Sequence, residues 1–244
     1  MSGPRHFRLL VSLGLATAFS TALPAQATAI RPGVDTMTIW LIRGADTTLS
    51  GRIIDHVAFE ADSLGDRIVR TYTTASVIVG SRTDTLVDRV DGLRPVRAVT
   101  VLGDSVYRLD FRTGRLSGDL RLGTGTRQSI DLAVPATVIN ASSFDLFLRG
   151  SLLHIGDSLH AVAFSPNVLG GLVRLSARVD GEEEVAGRLT WRVIGVFPPG
   201  MRTTFWIDQQ TREMVQQRME LPGGVELLVD HRGPPRVRPS RRAA

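Results

Sequence analysis

Residues 173–180 read Val-Arg-Leu-Ser-Ala-Arg-Val-Asp, and every second side chain of this stretch is apolar or small. Residues 115–122 read Arg-Leu-Ser-Gly-Asp-Leu-Arg-Leu and repeat the alternation. It continues between residues 185 and 197, where the apolar positions are Val185, Leu189, Trp191, Val193 and Phe197. Because successive side chains of a strand point to opposite faces, this period of two predicts antiparallel strands with one face in a core and the other in water.

Short turn signals separate the alternating stretches. They lie at Asp91-Gly92, Gly103-Asp104, Thr113-Gly114, Gly123–Gly125, Asp180-Gly181 and Pro222–Gly224. Strands that are joined so closely form hairpins and meanders. The spacing predicts about ten strands or more, beginning near residues 36–42, and a sheet of that size curls instead of staying flat.

One segment has the pattern of a helix. Its apolar side chains follow helical spacing and are Phe144, Phe147, Leu148 and Leu152. Ser142 is placed to cap this helix, and Asp145 lies near the positive end of the helix dipole. We therefore expect an all-β, mainly antiparallel fold, with a curved sheet that forms a barrel or half-barrel and one covering helix near residues 142–152.

The first residues have the pattern of a cleavable signal peptide. Arg5 and Arg8 precede an apolar run over residues 9–23, and Ala25-Gln26-Ala27 supplies the small residues that signal peptidase reads. We predict a signal peptide over 1–27, a single β-barrel-like domain over 28–232, and a disordered Arg/Pro tail over 233–244. The expected location is the periplasm or the outer envelope, with no stable membrane span after cleavage. Since the chain has no cysteine, we expect neither disulfides nor a lipoprotein anchor.

The basic residues of the chain are concentrated at its two ends. The net charge is +5, and all 29 basic residues are arginine. Arg5 and Arg8 lie in the predicted signal peptide, and five further arginines follow residue 231. The predicted domain is therefore nearly neutral, and we expect no nucleic-acid partner.

No arrangement of residues predicts a catalytic centre, a cofactor or a metal site. The chain contains no lysine for a Walker-type loop, and it has no dinucleotide-binding glycine pattern. A zinc site needs three or four converging ligands, but the only histidines after the predicted signal peptide are His56, His154, His160 and His231. Consecutive residues of a strand point to opposite faces, so Glu182, Glu183 and Glu184 cannot converge on one ion.

Gly156-Asp157-Ser158-Leu159 has the letters of the GDSL esterase motif, in which the serine is the nucleophile. A serine hydrolase that uses Ser158 with His154 or His160 is therefore an alternative function. In that family a downstream Asp-x-x-His supplies the base, whereas here the only such spacing, Asp157 to His160, overlaps the serine itself. Asp-Ser pairs also favour tight turns, which gives the same letters a structural explanation.

Aromatic side chains are the remaining candidates for a binding surface. Trp191 and Phe205 lie in predicted strands, and Phe144 and Phe147 lie in the predicted helix. In a curled sheet such side chains line the interior, which is either a packed core or a ligand cavity, and both need the same residue types. We take these four as candidate ligand-binding residues and keep the packed core as the alternative.

Four segments carry a resemblance to known proteins. They are Leu93–Arg97, Tyr107–Phe111, Leu153–Asp157 and Phe205–Arg212. Over about residues 94–231 the chain resembles a family of bacterial exported proteins known as a domain of unknown function. The last segment, a strand, a turn with Thr and a second strand, is also similar to lipoprotein-carrier-like proteins of the bacterial envelope. That resemblance implies a curved antiparallel half-barrel with helices over an apolar concave surface, and it implies no catalytic residues.

These observations predict a non-enzymatic exported envelope protein. We expect it to bind an apolar or lipid-like ligand in its curved sheet, or to dock another envelope component. The serine hydrolase and a purely structural envelope protein are the alternatives.

Overall fold

The alternating stretches of the sequence form strands, as predicted, and fifteen strands of the described residues join in one sheet. The computed structural model describes residues 29–78, 80–165, 171–198 and 200–231. The predicted signal peptide over 1–27 and the predicted tail over 233–244 lie outside these residues.

The strands in chain order are β1 (Gly33–Arg43), β2 (Asp46–Asp62), β3 (Gly65–Ser76), β4 (Gly80–Arg89), β5 (Pro95–Leu102), β6 (Ser105–Arg112), β7 (Arg115–Arg121), β8 (Arg127–Ala133), β9 (Ile139–Asn140), β10 (Ser158–Phe164), β11 (Leu172–Val185), β12 (Arg188–Phe197), β13 (Met201–Asp208), β14 (Met214–Leu221) and β15 (Val225–Asp230). Helix α1 (Phe144–Gly150) follows a 3-10 turn at Ala141–Ser143.

The sheet consists of two meanders. One runs from β1 to β8 and the other from β10 to β15, and they are joined because β1 pairs antiparallel with β15. Only the short β9 pairs in parallel with its neighbour, β10, among the strands of the described residues. The sheet is curved but not closed, with β8 and β9 at its two edges. The predicted class, an all-β antiparallel sheet with one covering helix, is confirmed.

The sheet curls around its own inner face. The larger apolar cluster combines inner side chains of β1–β3 with those of β11–β15 and of α1. The smaller cluster joins β4–β7 to Phe164 at the end of β10. The ring of Phe164 meets that of Phe111 edge to face, with 6.4 Å between the ring centroids. Strands that lie far apart in the sheet therefore share a core, and α1 lies against the concave side.

Strand β2, the longest of the described strands, contains a bulge. The bulge lies where β2 pairs with β1 on one side and with β3 on the other. Ile39 lies opposite Gly51 and Trp40 lies opposite Leu49, so Ser50 is an additional residue in β2. A Cβ atom on Gly51 would collide with the carbonyl oxygen of Ala75 on β3. Glycine is therefore required at this close approach of two backbones, and the bulge adds to the curvature of the sheet.

Helix α1 is shorter than predicted, and its cap is a different residue. The prediction spans 142–152, but the helix covers Phe144–Gly150, and Leu152 of the predicted apolar stripe is exposed. Ser142 does not act as the cap. Its backbone N–H donates to Oδ1 of Asn140 at 2.8 Å, because a 3-10 turn precedes the helix and moves the cap upstream. Within the described ranges, no helix combines the length and the apolar character that a bilayer crossing requires.

The predicted turn at Asp180-Gly181 is wrong. β11 continues through this site to Val185, and a bulge absorbs the irregularity as a register shift between Val179 and Gly181. The hairpin turn lies at residues 186–187, where both residues have positive φ. Leu189 follows this turn and is 54% exposed, although the alternation placed it on the apolar face.

Candidate ligand cavity

A cavity of about 270 Å³ lies between helix α1 and the inner face of the sheet. One wall comes from β1–β4 and the other from β12–β15, so the curl of the sheet brings together segments that are far apart in the sequence. Most of the lining side chains are apolar. Pockets for small molecules have volumes of about 300–1,000 Å³, so this cavity suits a small ligand or one section of a longer one.

Three phenylalanine rings form the aromatic part of the cavity wall. The ring of Phe144 on α1 lies edge-on to Phe197 of β12, with 5.3 Å between the centroids. It also lies 6.3 Å from the ring of Phe205 on β13. Edge-to-face pairs at such distances are favourable, so these contacts hold the helix and the two strands in a defined arrangement.

Three methionine side chains form the adaptable part of the wall. Met201 lies on β13, and Met214 and Met219 lie on β14; all three line the cavity. Methionine is unbranched and polarizable, so it fills spaces of different shape at little cost. This part of the wall can therefore adjust to ligands that differ in shape.

One end of the cavity is polar. Arg82 donates to both carboxylate oxygens of Asp84, at 2.7 and 3.0 Å, and to the hydroxyl of Ser142 at 2.9 Å. The hydroxyl of Thr100 donates to the same carboxylate at 2.5 Å. The polar groups at this end are thus bonded to one another, and the charge of Asp84 is balanced by Arg82.

A buried ion triad fastens α1 to the sheet beside the cavity. Arg70 of β3 is 1% exposed. Its Nε and Nη2 donate to Asp55 of β2 at 2.7 and 2.8 Å, and its Nη1 and Nη2 donate to Asp145 of α1 at 2.7 and 2.8 Å. Nη1 also donates to the carbonyl oxygen of Ser142 at 3.3 Å. All five N–H donors of Arg70 are therefore used, and the helix is held in one position.

The triad stays ionised despite its burial. Burial disfavours the charged form of Arg70, but Asp145 and Asp55 outweigh it and raise the pKa of the guanidinium well above its ordinary value. Burial likewise opposes the charge of Asp145, and the positive charge of Arg70 nevertheless holds the pKa of this carboxyl below its ordinary value. Removing one member would leave the others charged in a largely buried site.

Asp88 on β4 is another buried carboxyl group, and no cation of the described residues is paired with it. It is 1% exposed, and one of its oxygens accepts a hydrogen bond from the hydroxyl of Ser143 at 2.9 Å. The other oxygen is buried without a partner among the described residues. Burial raises the pKa of Asp88 to about 7. This group therefore exchanges a proton near neutral pH.

The structure brings three of the four predicted ligand-binding residues together. Phe144 and Phe205 line the cavity. Phe147 lies behind Phe144, with stacked rings 5.9 Å apart, and is buried. Trp191 is not part of the cavity wall; its ring lies 4.3 Å beneath the guanidinium of Arg212. Whether any of the four contacts a ligand stays a prediction.

Several cavity residues are not among the four that the sequence predicts. Met201, Met214 and Met219 are three of the five methionines of the chain, and their concentration in two neighbouring strands was a usable signal. Arg82 and Asp84 could not be predicted as cavity residues. Charged side chains two residues apart in a strand indicate its solvent-exposed face. Here they point inward, and they are tolerated because they bond to each other.

The structure places the residues of the hydrolase alternative at the surface. Ser158 and His160 lie on β10 and are both exposed, and Ser158 forms no hydrogen bond with a histidine in the described ranges. His154 is bonded to Asp157 at 3.2 Å. Among the described residues, no group of three or more potential ligands could hold a metal ion.

The sequence matches no protein-family profile and no curated protein. Among solved structures, the chain is similar to a β-barrel-like protein with a domain of unknown function from Brucella abortus, at 12% identity and a TM-score of 0.48, over 81% of this chain and 95% of that one. It is also similar to a putative outer membrane lipoprotein-sorting protein domain from Vibrio parahaemolyticus, at 8% identity and a TM-score of 0.25, over 82% of this chain and 83% of that one. These are the two kinds of protein that the sequence loosely resembles.

Proposed function

We propose that the protein is a non-enzymatic exported envelope protein that holds an apolar or lipid-like ligand in the cavity beneath α1. The observation that carries this proposal is the cavity itself, about 270 Å³ in volume and walled mainly by phenylalanine, methionine and aliphatic side chains. Protein interiors close-pack wherever they can, so a space of this size beside a rigidly anchored helix favours a binding role over a packed core.

The surrounding contacts support binding of an amphiphilic molecule. Phe144 and Phe205 would contact its apolar part, and Phe147 would support Phe144 from behind. The polar end at Arg82 would face a hydroxyl, ester or amide group of the ligand. Helix α1 would keep its position during binding, because Arg70 ties it to two strands.

Native mass spectrometry of the protein isolated from exporting cells tests the proposal directly. We expect an additional mass that is retained under gentle conditions and released by organic solvent. The delipidated protein should then bind the apolar fluorophore N-phenyl-1-naphthylamine, with an increase in fluorescence. A protein that carries no such mass and does not bind the fluorophore would contradict the proposal.

Two tryptophan substitutions on β14 form a matched pair. Met219 lines the cavity, and its neighbour Glu220 points to the other face and is exposed. M219W fills the cavity and should weaken fluorophore binding at least roughly tenfold, whereas E220W should leave it unchanged. Equal binding by the two variants would show that the fluorophore lies elsewhere.

A further inference from the structure

A second cavity, of about 320 Å³, lies near the C-terminal end of α1, and its wall combines charged side chains with apolar ones. Arg149, in the last turn of the helix, and Arg31, before β1, both line it. Met214 lines this cavity as well as the apolar one, so the two spaces adjoin.

Arg149 is buried but incompletely bonded. It is 8% exposed, and its Nε donates to the carbonyl oxygen of Arg212 at 2.9 Å. Its Nη1 and Nη2 form no hydrogen bond or ion pair with any of the described residues. Arg149 lines the cavity, and these two atoms carry four N–H donors that the described residues leave unused.

The carboxylates that line the cavity are each bonded to another basic side chain. Asp35 is paired with His231 at 2.9 Å, and Asp55 is paired with Arg70 at 2.7 Å. Glu213 is paired with Arg188 at 2.7 Å. Arg149 attracts these acids only over longer distances, and no carboxylate lies within 4.0 Å of it in the described ranges.

Arg31 adds a second positive charge at the same cavity. It is exposed and has no ion pair within the described part of the chain. Arg31 and Arg149, one accessible and one buried, thus line the cavity without an acidic partner in the described ranges, whereas Arg188, which also lines it, is paired with Glu213. A planar guanidinium with free terminal donors matches a carboxylate or a phosphate group, which can accept two parallel hydrogen bonds from it.

We propose that this cavity binds an anionic group, a carboxylate or a phosphate monoester, through Nη1 and Nη2 of Arg149, with Arg31 at the entrance. The anionic group belongs either to a small free anion or to an amphiphile whose tail enters the adjoining apolar cavity. The anion site itself does not depend on the proposed apolar ligand, because its donors and its space are separate from that cavity.

Isothermal titration calorimetry with three probes tests the site and identifies the source of the anion. The probes are inorganic phosphate, dodecyl phosphate and the neutral dodecanol, at constant ionic strength. Binding of inorganic phosphate indicates a free anion, and binding of dodecyl phosphate alone indicates a head group. In both cases R149Q should lower the affinity for the anion at least roughly tenfold and leave dodecanol unaffected.

The control variant is R97Q, which removes one exposed positive charge on β5, outside the cavity. It should change the affinity less than about twofold, because exposed charges at a distance are screened by salt. If R149Q does not fold, R149K replaces it; lysine keeps the charge but loses the forked donors, so anion binding should still weaken. The proposal is overturned if the wild type binds neither anion, or if Arg149 variants bind as tightly as R97Q.

Dodecyl phosphate binding by M219W separates this inference from the proposed function. If M219W binds the anion but not the fluorophore, the anion site stands and the tail does not occupy the apolar cavity. If the wild type binds the fluorophore but no anion, the apolar ligand stands and the anion site fails.

Discussion

Replacement of Arg70 by methionine should destabilise the protein strongly and in a pH-dependent way. The side chain is 1% exposed and holds Asp55 and Asp145 with four hydrogen bonds between 2.7 and 2.8 Å. R70M keeps a similar length and apolar volume, but it leaves two carboxylates next to each other in a buried site. Removing one partner of such a buried pair costs about 3–5 kcal/mol.

The loss of stability in R70M should be larger at neutral than at acidic pH. Arg70 is what holds the pKa of Asp145 low against burial. Without it, burial and the neighbouring carboxylate raise the pKa of Asp145, so that the folded variant takes up a proton which the unfolded chain does not hold. The variant is therefore relatively more stable at low pH, and its stability falls as the pH rises through this raised value.

Reversible urea unfolding of wild type and R70M at pH 5 and pH 7 measures both effects. For a domain of this size a loss of 3–5 kcal/mol corresponds to a fall in melting temperature of about 6–20 °C. R108M is the matched control, because Arg108 faces Asp119 at 3.7 Å with both side chains about half exposed, and its loss should stay below about 1 kcal/mol. An R70M variant no less stable than R108M, or equally destabilised at both pH values, would refute the role of the triad.

Two further predictions concern pH and stability. Because the pKa of Asp88 is raised to about 7 in the fold, the folded state keeps a proton that the unfolded chain releases near pH 4. Wild-type stability should therefore fall between about pH 4 and pH 7, by up to roughly a kcal/mol per pH unit, and D88N should remove this dependence in urea titrations. The hydrogen bond with Asp35 raises the pKa of His231, so its stabilising effect is present below about pH 6.5 and is lost as the pH rises through the raised value. The stability of H231Q should differ most from that of wild type below about pH 6.5. A difference in stability that does not change with pH would rule out the ion pair as its cause.

The antiparallel sheet could be predicted because side-chain period and backbone hydrogen bonding are local properties. The alternation in residues 173–180 is that of β11, where Leu175 and Val179 are 1% and 0% exposed. Most turns lie where glycine permits positive φ, as at Gly103 and Gly114. Local signals failed at Asp180-Gly181, since a bulge in a paired strand and a hairpin turn use the same residues.

The candidate site could be predicted only in part. Phe144 and Phe205 were recognised as interior residues, because aromatic side chains on an apolar face are buried in any curled sheet. The sequence could not show that a cavity remains between them, since packing depends on how β1–β4 and β12–β15 approach across the roll. Trp191 is also aromatic and lies on the predicted apolar face of its strand, but the guanidinium of Arg212 covers its ring.

The sequence by itself determined the all-β class, the presence of a helix near residues 144–150 and the near-neutral charge of residues 28–231. The class and the helix follow from the spacing of apolar side chains along the chain, and the charge follows from composition. Only the tertiary structure decided that Arg70 joins two carboxylates from β2 and α1, and that Arg149 has no acidic partner within 4.0 Å among the described residues. These contacts link residues up to 75 positions apart, and a buried charge is tolerated only where the fold supplies its partners.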